Sequence, residues 1–128
     1  MKHTTHALLA AIVVLGSVTV VGCKSDEDKL VSYLEDEADI IDKNKDDCDK
    51  MGDKLKSWAD GNSDDMKKLQ KKMEEKEKGM SADDKKKVEE DMKKKYGDRL
   101  DKAMEKILGG ALKCATNDKV KKAMEATK

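Results

Sequence analysis

The sequence predicts an all-α protein, and three observations carry that prediction. The 128 residues contain no proline, and β-branched residues become sparse after residue 22. Charged side chains make up 44% of the chain, with acids recurring four residues ahead of a lysine: Asp64–Lys68, Glu74–Lys78, Asp83–Lys87, Glu89–Lys93, Glu90–Lys94 and Asp98–Lys102. Each such pair supports a helix by roughly 0.2–0.5 kcal/mol in this orientation. Apolar residues downstream recur at helical spacing, with no alternating stretch to mark a strand. The expected architecture is a small elongated helical bundle of three main helices plus a short C-terminal helix, stapled by a disulfide.

The chain opens with Met1 to His6, which carry one lysine and two histidines, followed by an uncharged run from Ala7 to Val21. A run of about 15 residues is short for a membrane span and suits the apolar core of a signal peptide. It closes on Val20-Val21-Gly22-Cys23 and then changes abruptly to Lys24-Ser25-Asp26-Glu27-Asp28. These four residues resemble the lipobox of bacterial lipoprotein precursors: an aliphatic residue, a small or aliphatic residue, Gly or Ala, then Cys. The resemblance covers residues 1–23. It implies that 1–22 is a cleaved signal and that the Cys23 thiol carries a diacylglyceryl thioether with an acylated α-amino group. It also implies membrane attachment through that anchor in the cell envelope of a Gram-negative bacterium. Lys24, standing where an Asp would retain such proteins at the inner membrane, implies the outer membrane, facing the periplasm. Each buried CH₂ contributes about 0.8 kcal/mol, so two or three chains hold a protein firmly where one binds reversibly.

Residues 23–128 are then one lipid-anchored helical domain, with 24–28 as a short polar tether. Ser25 suits a helix N-cap, and Asp26, Glu27 and Asp28 complement the helix dipole. Leu34, Ile41, Cys48 and Leu55 recur every seven residues, flanked by Leu30, Val31, Ala38, Met51, Trp58 and Ala59. They predict one helix from about 26 to 60, about 50 Å long. Asp60-Gly61-Asn62-Ser63 reads as its terminating turn. A second helix over 64–78 carries Met66, Leu69 and Met73 and stops at Gly79. Ser81 with Asp84 opens the third, which carries Val88, Met92, Tyr96, Leu100, Ala103, Ile107 and Ala111 until Gly109-Gly110 kinks or ends it. A last helix follows Asn117 with Val120, Ala123 and Met124.

After lipidation Cys48 and Cys114 remain, and in an oxidising compartment such a pair most simply forms a disulfide; an intermolecular bridge or two free thiols are the alternatives. A closed loop of this size would stabilise the fold by about 4 kcal/mol in the chain-entropy model. In a simple hairpin Cys48 would face the mid-90s. A Cys48–Cys114 bridge instead requires a bundle whose C-terminal part folds back.

Composition narrows the function classes. Without residues 1–22 the chain has 27 basic and 28 acidic side chains, a balance that argues against nucleic acid as a partner. Tyr33, Trp58 and Tyr96 are the only aromatics, so base-stacking platforms are missing. Both histidines, His3 and His6, fall in the signal, which leaves no His-based triad, and no catalytic residue or cofactor is assigned. Asp42–Asp46 and Asp60–Asp64 imitate the first ligands of a calcium loop. The first has Asp47 and Asp53 where the register needs Gly and Glu, and the second has Asp65 and Lys71 there, so Asp60, Asn62 and Asp64 are weak metal candidates. Met66, Met73 and Met80 form a thioether stripe that reads first as core filler. The composition is similar to that of helical periplasmic stress chaperones, without their Leu-Thr-x-x-Gln signature. Lys128 is similar to the C-terminal lysine that the major outer-membrane lipoprotein links to peptidoglycan.

The expected function is therefore a non-enzymatic, membrane-anchored envelope lipoprotein, structural or contacting another envelope protein. The alternative is a periplasmic metal-ion or client-binding module. Oligomeric state is left open.

Overall fold

The computed structural model describes residues 25–126, so the signal segment, Cys23 and Lys128 lie outside the described residues. Four helices follow in order: α1 (Asp26–Lys43), α2 (Cys48–Lys78), α3 (Ala82–Lys113) and α4 (Asp118–Ala126). No strand occurs among the described residues, and Cys48 is bonded to Cys114 with their Cα atoms 5.4 Å apart. The all-α class, the short fourth helix and the stapled bundle are as expected.

Several boundaries differ from the sequence reading. α1 spans 18 residues, about 27 Å at 1.5 Å each, and ends well short of residue 60. Asn44 closes it: its backbone N–H reaches Ile41 O and its side-chain amide donates to Ile40 O at 2.7 Å. Asp47 then caps α2 by accepting from the Lys50 N–H. The chain therefore reverses at 44–47, and α2 runs unbroken through Asp60-Gly61-Asn62-Ser63. That segment has turn-forming residues but no packing reason to turn, and Asn62 folds its amide back onto Trp58 O at 2.8 Å. α3 likewise continues through Gly109-Gly110 to Lys113.

The caps read from sequence hold. Ser25 Oγ accepts from the Asp28 N–H and Ser81 Oγ from the Asp84 N–H. Asn117 Oδ1 takes the N–H groups of Lys119 and Val120, and Gly79 ends α2. Each cap satisfies helix-end donors or acceptors that would otherwise need water.

α1 and the first part of α2 form one hairpin; the last part of α3 and α4 form a second, lying alongside it in the same direction. Their turns match: Asp47 N–H bonds Asn44 O, and Asn117 N–H bonds Cys114 O, both at 3.0 Å. The disulfide joins these two turns. Two glycines permit the close approach. A Cβ on Gly110 would strike the Ile41 side chain, and one on Gly52 would lie 2.8 Å from the Lys119 backbone.

The core has three parts along the long axis. Val31, Met73, Val88, Met92 and Tyr96 fill the end near the α2–α3 connection. Leu34, Ala38 and Ala103 bridge the middle. Ile41, Met51, Leu55, Cys114, Val120 and Ala123 fill the disulfide end, where four helices meet. Burying side chains of this size stabilises by roughly 1.5–3 kcal/mol each before entropy is counted.

Candidate functional site

The polar side chains of the described domain are organised by the parallel packing of the two hairpins. Along the α1–α3 seam, Tyr96 OH donates to Asp28 at 2.5 Å. Arg99 grips Glu35 through two bonds of 2.7 and 2.6 Å. Lys106 reaches Asp39 at 2.7 Å and Lys113 reaches Asp46 at 3.1 Å. The ladder continues between α4 and α2, where Asn117 donates to Asp49 at 2.9 Å and Lys119 pairs with Asp53 at 3.1 Å. Every acceptor lies in 28–53 and every donor in 96–119. The sequence carries this segregation: residues 26–53 hold twelve acidic and four basic side chains, and residues 54–128 hold sixteen and twenty-two.

The electrostatics follow from the contacts. The Tyr96 hydroxyl holds the Asp28 carboxyl below its ordinary value, as Arg99 does for Glu35 and Lys106 for Asp39. The pairs from Glu35–Arg99 to Asp53–Lys119 are partly exposed, so they set register more than they add stability. None of the six i,i+4 pairs read from the sequence closes to within 4.0 Å among the described residues. The ion pairs between separate helices do so instead.

Glu37 stands apart. It is 8% exposed and has neither hydrogen bond nor ion pair, and burial alone pushes its carboxyl up to about 7. The sequence reading passed over it because it looked only for carboxylate pairs. The signal was present: Glu37 lies three residues after Leu34 and four before Ile41, inside the apolar stripe of α1. Nearby, Tyr33 and Trp58 meet edge to face across the α1–α2 contact, with ring centroids 6.4 Å apart. Beside them an open groove of about 460 Å³ carries a balanced set of acids and lysines, including Asp36, Asp65, Lys68 and Lys72.

The weak metal candidates do not converge. Asp60, Asn62 and Asp64 ride one continuous helix, where successive alternate positions turn by about 200° and place Asn62 away from the other two. Asp60 is paired with Lys56 at 2.6 Å. In the other calcium-like segment Asp42 is held by Lys45 and Asp46 by Lys113. Among the described residues no group of three His, Cys, Asp or Glu side chains is placed to hold a metal ion. Met73 is buried in the core and Met80 packs half-buried against the same cluster, while Met66 is half-buried.

Among the described residues the surface has one apolar exception. Leu108 is 48% and Leu112 76% exposed, one turn apart on α3 near the disulfide. They lie off the Ala103–Ile107 stripe that the sequence reading followed. No helix among the described residues is long and apolar enough to cross a membrane. Compared with known proteins, the chain matches no family model, no curated protein and no solved structure.

Proposed function

We propose that this chain is a non-enzymatic envelope lipoprotein: a helical bundle fixed to the outer membrane through acylated Cys23, acting by contact with another envelope protein or as a spacer. The observation that carries this reading is Val20-Val21-Gly22-Cys23 at the end of an uncharged 15-residue run. The domain behind it suits such a role. Ion pairs such as Glu35–Arg99, Asp39–Lys106 and Asp46–Lys113 hold its helices in register, and Leu108 and Leu112 give it apolar surface for a protein contact. The metal- or client-binding reading drew on the methionine stripe or acidic turns; Met73 is buried, and among the described residues no group of three His, Cys, Asp or Glu side chains is placed to hold a metal ion.

Metabolic labelling with a fatty acid, followed by mass spectrometry of the mature N-terminus, tests the anchor. The expected product begins at Cys23 and carries acyl chains, and Cys23→Ser moves the protein from the membrane to the soluble fraction. An unmodified Cys23, or a retained segment 1–22, overturns the proposal.

A further inference from the structure

Glu37 is a buried carboxyl group with no hydrogen bond or ion pair, one helical turn after Tyr33, whose ring meets Trp58 of α2. α1 is joined to its two long neighbours unequally. Toward α3 it has the Asp28–Tyr96, Glu35–Arg99 and Asp39–Lys106 links. Toward α2 the only ion pair among the described residues is Lys76–Asp26, at 3.8 Å. Among the described residues no side-chain oxygen lacking a hydrogen bond is fully sealed from solvent, so the Glu37 oxygens can exchange a proton.

We propose that Glu37 is a proton-controlled joint: the protonated carboxyl keeps α1 seated on α2, and release of that proton to solvent draws water into the contact beside Trp58 and loosens it.

The surroundings support a single titrating group. On α1, Tyr33 precedes Glu37 by one turn. On α2, Trp58 has the exposed Lys54 one turn before it and the exposed Asp65 two turns after it. α3 offers Leu100, Ala103 and Ile107 to the middle of the core, while Arg99 and Lys106 are held by Glu35 and Asp39. α4 packs at the Ile41 end and keeps Lys121, Lys122 and Glu125 exposed. An ionised carboxylate there faces desolvation without compensation, so the contact that yields is the one with the fewest ties. Residues 25–126 contain no histidine, and their two cysteines are joined, so no other side chain in them ordinarily titrates near neutrality.

Trp58 is the only tryptophan and reports the contact directly. The experiment is intrinsic fluorescence of the full chain from about pH 5 to about pH 9, a window that brackets a carboxyl raised by burial. The emission maximum should move to the red with a midpoint near the Glu37 value of about 7. Glu37→Gln and Glu37→Met should remove the transition while leaving helical content at the acid end unchanged, and Asp65→Asn should retain it. A flat parent titration, a transition that survives in both Glu37 variants, or its loss in Asp65→Asn overturns the proposal.

Discussion

At the scale of single residues, the carboxylates of this domain pull its pH dependence in opposite directions. Asp28, Glu35 and Asp39 have lowered values, so the stability they add is present above about pH 4 and is lost as pH falls through their folded-state values. Glu37 is raised from its ordinary 4.5 to about 7, so its cost is absent in acid, grows between those values and is complete above them. Stability should therefore peak in mild acid, at roughly pH 4–6. Glu37→Gln should flatten the alkaline side and add on the order of 2–3 kcal/mol at about pH 8. Urea unfolding across pH checks this, and an unchanged alkaline slope would refute it. The glycines divide just as sharply. Gly61 has open space around a would-be Cβ, so Gly61→Ala should stabilise α2 by about 1 kcal/mol. Gly52→Ala should destabilise by about 1–3 kcal/mol, because the new methyl meets Lys119 Cβ and the backbone of Lys119 and Val120, none of which can move without moving α4. Thermal melts of the two variants should shift in opposite directions.

At the scale of elements, the fourth helix has only nine residues and Val120 and Ala123 as its fully buried contacts. A helix that short is marginal alone, so it depends on its packing against α2 and on the Cys48–Cys114 bond beside its turn. Replacing both cysteines by serine should cost up to about 4 kcal/mol on the chain-entropy account. A loss below about 1 kcal/mol in denaturant unfolding would show that the ladder and core hold the turn unaided. This level also shows what the sequence made legible. Ser25, Gly79, Ser81 and Asn117 announced themselves because capping chemistry is local. The 44–47 reversal was hidden because a four-residue turn nearly preserves helical phase: Ile41 and Cys48 stay seven apart, and the apolar stripe looks continuous. Conversely, Asp60-Gly61-Asn62-Ser63 has turn composition on an exposed stretch of helix, where helix caps at Asp47 and Gly79 outweigh it. The ladder between hairpins was invisible for another reason. Its partners are 64 to 68 residues apart in the chain, and a reading of i,i+4 spacing finds only local pairs. Leu108 and Leu112 could have been found by asking which apolar residues miss the main stripe.

At the scale of the whole molecule, the two ends have different characters. α1 begins beside the C-terminal part of α2, where Asp26 meets Lys76, so the chain enters the bundle near the α2–α3 connection. The disulfide and the exposed pair Leu108 and Leu112 sit at the other end. On the proposed anchoring, this far end is the one presented away from the lipid surface. A photocrosslinking residue at Leu112 should then capture protein in intact cells, and one at Ser81 should capture chiefly lipid. The reverse pattern would place the interaction surface at the anchored end.

The Cys48–Cys114 bond also determines how the molecule would bear tension. A pull between the N-terminal segment and the C-terminus passes along α1, crosses the bridge and leaves by α4. The 66-residue separation it spans stays out of the load path, including nearly all of the two long helices. Cutting that one bond would release about 230 Å of additional contour length at about 3.5 Å per residue. The oxidised protein is thus a short link with a folded mass hung beside it, and the reduced protein is a long extensible one.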